Sequence, residues 1–171
     1  MLISDDYRET LLRHRQVTEW GPGRPEHFEL VDKHLIKPHR VRSIIDYGCG
    51  EGGLVRELDK QNFEVIGYDP GVPRFSNQPA KQAEGLVSFD VLEHIEPDYL
   101  GDVLEHIGDL FTVAAYLVIH LGPALHRLPD GRNAHLIQKP AEWWVDALNN
   151  CELEVAEVIG VSRSYLQVIV K

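Results

Sequence analysis

An α/β fold built on a mainly parallel sheet of about six strands, with one antiparallel strand near the edge, is what this sequence predicts. Three observations carry the prediction. From residue 41 onward, short β-rich runs alternate with stretches of helical periodicity, the pattern of strands covered on both faces by helices. The first of these runs ends in a turn with four glycines in six residues, Gly48-Cys-Gly-Glu-Gly-Gly53. The last two runs, roughly 152–160 and 164–171, are joined by a turn of a few residues at 160–164, and strands linked that tightly must be antiparallel.

The elements follow in order. Ser4 caps a first helix reaching about Arg15, with Tyr7, Leu11 and Leu12 on one face. Residues 20–25, Trp-Gly-Pro-Gly-Arg-Pro, read as a loop. A second helix follows Pro25, carries Phe28, Val31 and Leu35, and is expected to end at Pro38. The strands are 41–46, 63–69, 85–89 and 114–121, the last being the most apolar. A helix of two turns bears Leu54, Val55 and Leu58; another runs from Pro97 to about Phe111 with Leu100, Val103, Leu104, Ile107 and Leu110 as its stripe. Residues 70–84 and 122–139 are loops, the second turning at Asp130-Gly131. Pro140 opens a helix in which Trp143 and Trp144 read mainly as packing residues.

With 171 residues the chain suits a single domain. The formal net charge of −10 is uneven. Residues 1–42 carry eight basic and seven acidic residues, residues 43–171 nine and twenty. An acidic body repels a phosphate backbone, so long nucleic acid is a disfavoured partner; the N-terminal part retains enough positive charge for one anionic group. Two cysteines, Cys49 and Cys151, make neither a disulfide framework nor a zinc pattern. No apolar run approaches a membrane span, and a reduced, cytoplasmic setting is expected.

The turn after the first strand has the spacing D-x-G-x-G-x-G, with Asp46 ahead of the first glycine. Dinucleotide folds use glycines at the carboxyl end of a strand to bring a pyrophosphate close to the backbone. An acid at that point repels a pyrophosphate and favours a cationic or zwitterionic ligand. Asp69, ending the second strand, is placed to accept ribose hydroxyls. After the third strand comes Phe89-Asp-Val-Leu-Glu-His-Ile-Glu-Pro97.

Taken together, these residues resemble the class I S-adenosylmethionine (SAM)-dependent methyltransferases, marked by a D-x-G-C-G-x-G turn, an acid ending the next strand and a D-V-L-E-H segment. The resemblance covers about residues 41–171. Val-Leu-Glu-His-Ile recurs at 103–107 within a helix, so the pentapeptide has meaning only behind a strand. The resemblance implies a Rossmann-like class I methyltransferase sheet with 1–40 as a helical lid, in which Arg13, Arg15, Trp20 and Arg24 are candidates to cover SAM, and 41–171 as the SAM-binding core. It implies cofactor contacts at Asp46, Tyr47, Gly48, Cys49, Gly50 and Gly52, at Asp69 and Pro70, and at Asp90, Val91 and Leu92. The family's third strand does not fit in the Pro-rich residues 70–84, so it is expected to be missing, with adenine held by that loop or partly exposed.

For the acceptor end, His94 and His135 are candidate bases, and Arg132, Asn133 and His120 candidate substrate contacts. In the ubiquinone-pathway and small-RNA 2′-O-methyltransferases, which this segment also resembles, such groups bind a divalent metal. Asp90, Glu93, His94 and His135 would be the ligands here, although the favoured expectation is a site without metal. His14, His27, His34, His39, His106 and His126 read as surface or packing residues. The expected activity is methyl transfer to a small-molecule acceptor, an oxygen of a sugar, polyol or related metabolite. A metal-assisted 2′-O-methyltransferase on RNA ends, a non-catalytic SAM-binding module and an NAD-binding module are the alternatives.

Overall fold

Six strands form one sheet in the order β2-β1-β3-β4-β6-β5. The computed structural model describes residues 2–17 and 24–171, with the backbone alone for 14–17. β1 (Ser43–Tyr47), β2 (Glu64–Tyr68), β3 (Ala83–Phe89) and β4 (Phe111–His120) run parallel. β6 (Tyr165–Val170) pairs antiparallel with β4, and β5 (Val155–Val161) antiparallel with β6. β2 is therefore an edge, and residues between β2 and β3 hold only a 3-10 turn, Pro73–Phe75. The absent third strand is a matter of chain length: no helix-plus-strand crossover fits there.

The helices are α1 (Asp5–Val17), α2 (Phe28–Val31), α3 (Lys37–His39), α4 (Gly53–Lys60), α5 (Leu100–Gly108) and α6 (Ala141–Asn150). On one face of the sheet α5 buries Val103, Leu104 and Ile107, and α6 buries Trp144 and Leu148. On the other, Val31, Leu35, Leu54 and Leu58 pack against β1, β3 and β4. Each of these side chains contributes roughly 1.5–3 kcal/mol by leaving water. Trp143, beside the buried Trp144, stays 36% exposed. A third, smaller cluster joins α1 to the 122–139 loop: Ile3, Tyr7 and Leu11 against Leu128 and Ala134. Ser4 caps α1, its Oγ accepting the Tyr7 amide at 3.0 Å.

Several boundaries differ from the sequence expectation, β5 for one starting at Val155 rather than near 152. Pro38 does not stop its helix, which continues to His39 and closes at Arg40 in the left-handed region (φ 56°), with the Arg40 amide donating to the Ile36 carbonyl. A π turn, Asp32–Ile36, precedes it; that wider turn shifts the hydrogen-bond frame and makes room for the ring. The 97–111 helix begins as a 3-10 turn (Pro97–Tyr99) and ends at Gly108. β3 and β4 each start two or three residues early, because Ala83 pairs with Phe111 and its amide donates to the Leu110 carbonyl. Phe111 belongs to a strand.

Candidate active site

The four parallel strands all end at one edge of the sheet, and β6, running the other way, begins there: Tyr165 pairs with His120. Loops leaving Tyr47, Tyr68, Phe89 and His120 converge with α1 and the start of the 25–39 segment around a cavity of about 540 Å³. Open α/β sheets bind ligands at this edge.

One end of the cavity is the glycine-rich turn. Gly48 and Cys49 both donate to the Tyr68 carbonyl, at 2.7 and 3.1 Å, folding the turn over β2. Gly48 has φ +78°, and a Cβ there would lie 2.2 Å from a methyl of Val91, so only glycine lets the turn seat against the segment after β3. Asp69 stitches this end together: one oxygen accepts the Gly50 amide at 3.0 Å, the other the Gly71 amide at 2.9 Å. Asp46 is 4% exposed, and its carboxyl is pushed up to about 7 by burial and then by the Asp69 charge. Two neighbouring buried carboxylates repel each other, and a cation between them relieves that repulsion. This charge pattern fits a ligand with a sulfonium and an ammonium.

Tyr47 also lines the cavity, but its hydroxyl meets His106 Nδ1 at 3.1 Å and its ring stands edge-on to Tyr68. The second Val-Leu-Glu-His-Ile copy thus supplies a packing partner. Cys49, Gly50, Pro70, Asp90 and Val91 line the cavity too. Gly52 and Leu92 do not. Gly52 faces Phe75, which a Cβ there would strike at 2.7 Å, and Leu92 is 1% exposed in the core.

The other end carries imidazoles. His94, on the 3-10 turn after β3, and His135, on the loop after β4, stand with ring centroids 4.8 Å apart; His120 lies 4.6 Å from His135. His94 Nδ1 donates to the Ala134 carbonyl at 2.7 Å and His135 Nδ1 to the Gly122 carbonyl at 2.6 Å. A carbonyl only accepts, so both rings carry their proton on Nδ1 and their lone pair on Nε2. His120 Nδ1 lies between the Gly122 amide, at 3.1 Å, and the Gly122 carbonyl, at 3.2 Å. Burial lowers the His135 pKa, with His120 adding to the effect and the hydrogen bond to the Gly122 carbonyl and the Asp90 charge opposing it.

Behind these rings lies Glu93, 0% exposed, whose two oxygens complete no hydrogen bond. Burial pushes its carboxyl up to about 8, with the Asp90 charge adding to the rise. Asp90 adopts φ +54°, strained for a non-glycine residue. Its carboxyl is raised by burial and lowered by Arg24, His27, His120 and His135.

Arg132 and Asn133, expected at the acceptor, do not reach the cavity. Arg132 bonds Asp130 and lies over the Tyr7 ring. Asn133 bonds both backbone groups of Ala124 and accepts the His135 amide, so it braces the loop that carries His135. Arg13 pairs with Glu9 on the exposed face of α1, whereas Arg24 lines the cavity; Trp20 and the side chains of His14 and Arg15 lie outside the described residues. The structure adds residues that the sequence reading missed: His27, stacked on Phe89 at 4.2 Å, and Tyr7, His126 and Tyr165.

Comparison with known proteins agrees with this architecture. A family model for methyltransferase domains matches residues 10–158. Among solved structures, the 1,6-didemethyltoxoflavin N1-methyltransferase of Burkholderia thailandensis, crystallised with its substrate and S-adenosylhomocysteine, aligns with a TM-score of 0.63 at 15% identity, over 99% of this chain and 91% of that one. A Pyrococcus horikoshii protein, PH0226, gives 0.62 at 14% identity over 98% and 92%. The magnesium protoporphyrin IX methyltransferase of Synechocystis, with S-adenosylhomocysteine bound, gives 0.56 at 17% over 85% and 81%. No curated protein matches the sequence. The chain belongs to the methyltransferase-domain family, in the class I, SAM-dependent group. Among the described residues no helix is long and apolar enough to cross a membrane.

Proposed function

We propose that this chain transfers the SAM methyl group to an oxygen of a small molecule, a sugar, polyol or related metabolite. One observation carries the reading: a single cavity with carboxylates at one end and lone-pair-bearing imidazoles at the other. SAM supplies an electrophilic methyl on a sulfonium. Asp46 and Asp69 balance its charge; the turn 46–50 and Val91 hold it in line with the acceptor, and such alignment accounts for much of the rate. The Nε2 lone pairs of His94 and His135 accept the acceptor's proton or otherwise favour its ionised form, and the His120 ring, on the same cavity wall, orients it. Leu2, Ile3, Tyr7 and Leu11 line the cavity from the N-terminal side, with Arg24 and His27 beside them, so these described parts of the N-terminal segment cover it.

The small acceptor is supported by the cavity's size, within the range of small-ligand pockets, by the net charge of −10, which disfavours polyanions, and by the small substrate named for the toxoflavin enzyme. The test is release of labelled methyl from SAM onto a panel of sugars, phenols, RNA and protein, beside a calorimetric titration with SAM. Labelling confined to hydroxylated small molecules is expected. Labelling of RNA ends alone, or SAM binding with no transfer to any acceptor, would replace this reading.

A further inference from the structure

We propose that Arg24 selects the acceptor by binding an anionic group, a carboxylate or a phosphate, carried next to the acceptor's hydroxyls. This deepens the function proposed above and rests on it, narrowing the sugar or polyol to an acidic one. The imidazoles keep the roles already given. Arg24 lines the cavity and, among the described residues that do so, is the one permanently charged cation. It is exposed, and no hydrogen bond or ion pair ties its guanidinium to a described residue. Arg13, Arg56, Arg74, Arg127 and Arg132, by contrast, all commit theirs to protein oxygens.

The place of Arg24 is at the acceptor end. The His27 amide donates to the Arg24 carbonyl at 3.1 Å, closing the turn that follows Arg24, and the His27 ring stacks on Phe89 with centroids 4.2 Å apart. Phe89 ends β3 and leads into Asp90. The stack therefore docks this turn on the strand end that carries Asp90. The charges agree. Burial raises the Asp90 carboxyl, and the Arg24 charge is the next influence and lowers it. At His27 burial again comes first and Arg24 second. Asp46, at the cofactor end, responds to burial and to Asp69 instead. That pattern separates Arg24 from the turn 46–50 and hence from the cofactor's own carboxylate.

Asp90 supplies the other half. It lines the cavity, its Oδ1 is buried without a hydrogen-bond partner, and its backbone is held at φ +54°. A buried oxygen in that state needs a donor, and backbone strain of this kind gathers where a ligand is clamped. A carboxylate accepts a hydroxyl proton and repels an anion. A guanidinium does the reverse, and its planar fork matches a carboxylate or a phosphate with two parallel bonds. Arg24 and Asp90 attract each other but form no ion pair. Both therefore keep hydrogen-bonding capacity for one molecule that bears both groups, a hydroxyl on Asp90 and an acid on Arg24. The body of the chain, with nine basic and twenty acidic residues over 43–171, repels a polyanion, so one fixed cation selects a single anionic group.

The test uses the full chain loaded with S-adenosylhomocysteine and titrated by calorimetry with glucose, glucuronate and glucose 6-phosphate. Transfer of labelled methyl from SAM to the same three probes is measured alongside. One or both anionic probes should bind at least about tenfold more tightly than glucose, and their order tells carboxylate from phosphate. Because Arg24 is exposed, the preference should shrink as salt is added. Arg24→Gln should bring the ratio to within about threefold of unity. Arg24→Lys should restore part of it, since an ammonium keeps the charge and loses the fork. Thermal melting verifies that both variants are folded. Equal binding of all three probes, or binding of none, by a chain that holds S-adenosylhomocysteine overturns the anion site and leaves the methyltransferase reading standing. A preference that survives in Arg24→Gln overturns the role of Arg24. So does a loss of S-adenosylhomocysteine affinity in that variant as large as its loss for the anionic probe, which would place the guanidinium on the cofactor. An anionic preference without methyl transfer to any sugar, phenol, RNA or protein sinks the proposed function and spares the subsite.

Discussion

The two ends of the cavity are built by different rules. The carboxylate end is local. Asp46 to Gly50 are consecutive, and Asp69 reaches them because β1 and β2 are neighbours in register. The imidazole end is assembled from afar: His94 follows β3, His120 ends β4, His135 lies in a long loop, and Tyr165 starts β6. The first end is held by backbone amides on a carboxylate, the second by backbone carbonyls on imidazoles. Backbone donors at one end and backbone acceptors at the other thus tune opposite groups, one end for positive charge and the other for presenting lone pairs. Changes at the two ends should therefore separate cofactor binding from turnover.

The largest separation is expected from His135→Ala. Turnover should fall by roughly 10²–10⁴-fold, the range for loss of acid–base assistance, with SAM affinity measured by calorimetry nearly unchanged. Equal losses of both would mean that the ends are not distinct. Asp69→Ala should do the reverse. It frees two backbone amides as well as removing a charge, so SAM affinity should fall by about 30-fold or more, from about 2 kcal/mol or more of lost charge-assisted bonds. An unchanged affinity would remove Asp69 from the cofactor site.

A pH series sharpens the contrast. Asp46 is raised to about 7 before any ligand binds, by burial and by Asp69. A cationic ligand prefers the ionised form, so binding expels the proton. SAM affinity should rise roughly tenfold per pH unit up to about pH 7 and then level off. Proton release is read from calorimetry in buffers of different ionisation enthalpy. Asp46→Asn should flatten the dependence; a flat profile in the parent protein would show that Asp46 does not meet the cation.

The same division explains what could be read from sequence. The six strands, their alternation with helices and the antiparallel β6 were legible because hydrophobic periodicity and tight turns are local signals. So was the turn 46–50. The missing third strand followed from counting residues between Asp69 and Gly85. The acceptor end was legible only in part. His94 stood out behind the third strand and His135 in the loop after the fourth, but Arg132 and Asn133 were misplaced, because nothing local says that their polar groups turn back on Asp130 and Ala124. His27 and Tyr165 needed tertiary information. For Tyr165 a signal existed: the short turn before β6 sets the register that pairs it with His120.

Gly48 is where the two ends touch, and it gives the smallest but most structural prediction. Its missing side chain admits Val91, which leads from β3 into the Asp90–His94 segment. In Gly48→Ala the new Cβ would meet both Val91 methyls, at 2.2 and 2.8 Å, in a backbone conformation with φ +78°. Stability should drop by about 1–3 kcal/mol by denaturant titration. Adding Val91→Ala removes the methyls but leaves the Val91 Cβ at 3.1 Å and the positive φ, so the double variant should recover part of the loss. In a double-mutant cycle the two changes should therefore be non-additive by about 0.5 kcal/mol or more. Simple additivity would mean that the glycine serves the turn's conformation alone, and that the cofactor end is shaped without reference to the segment carrying the acceptor histidine.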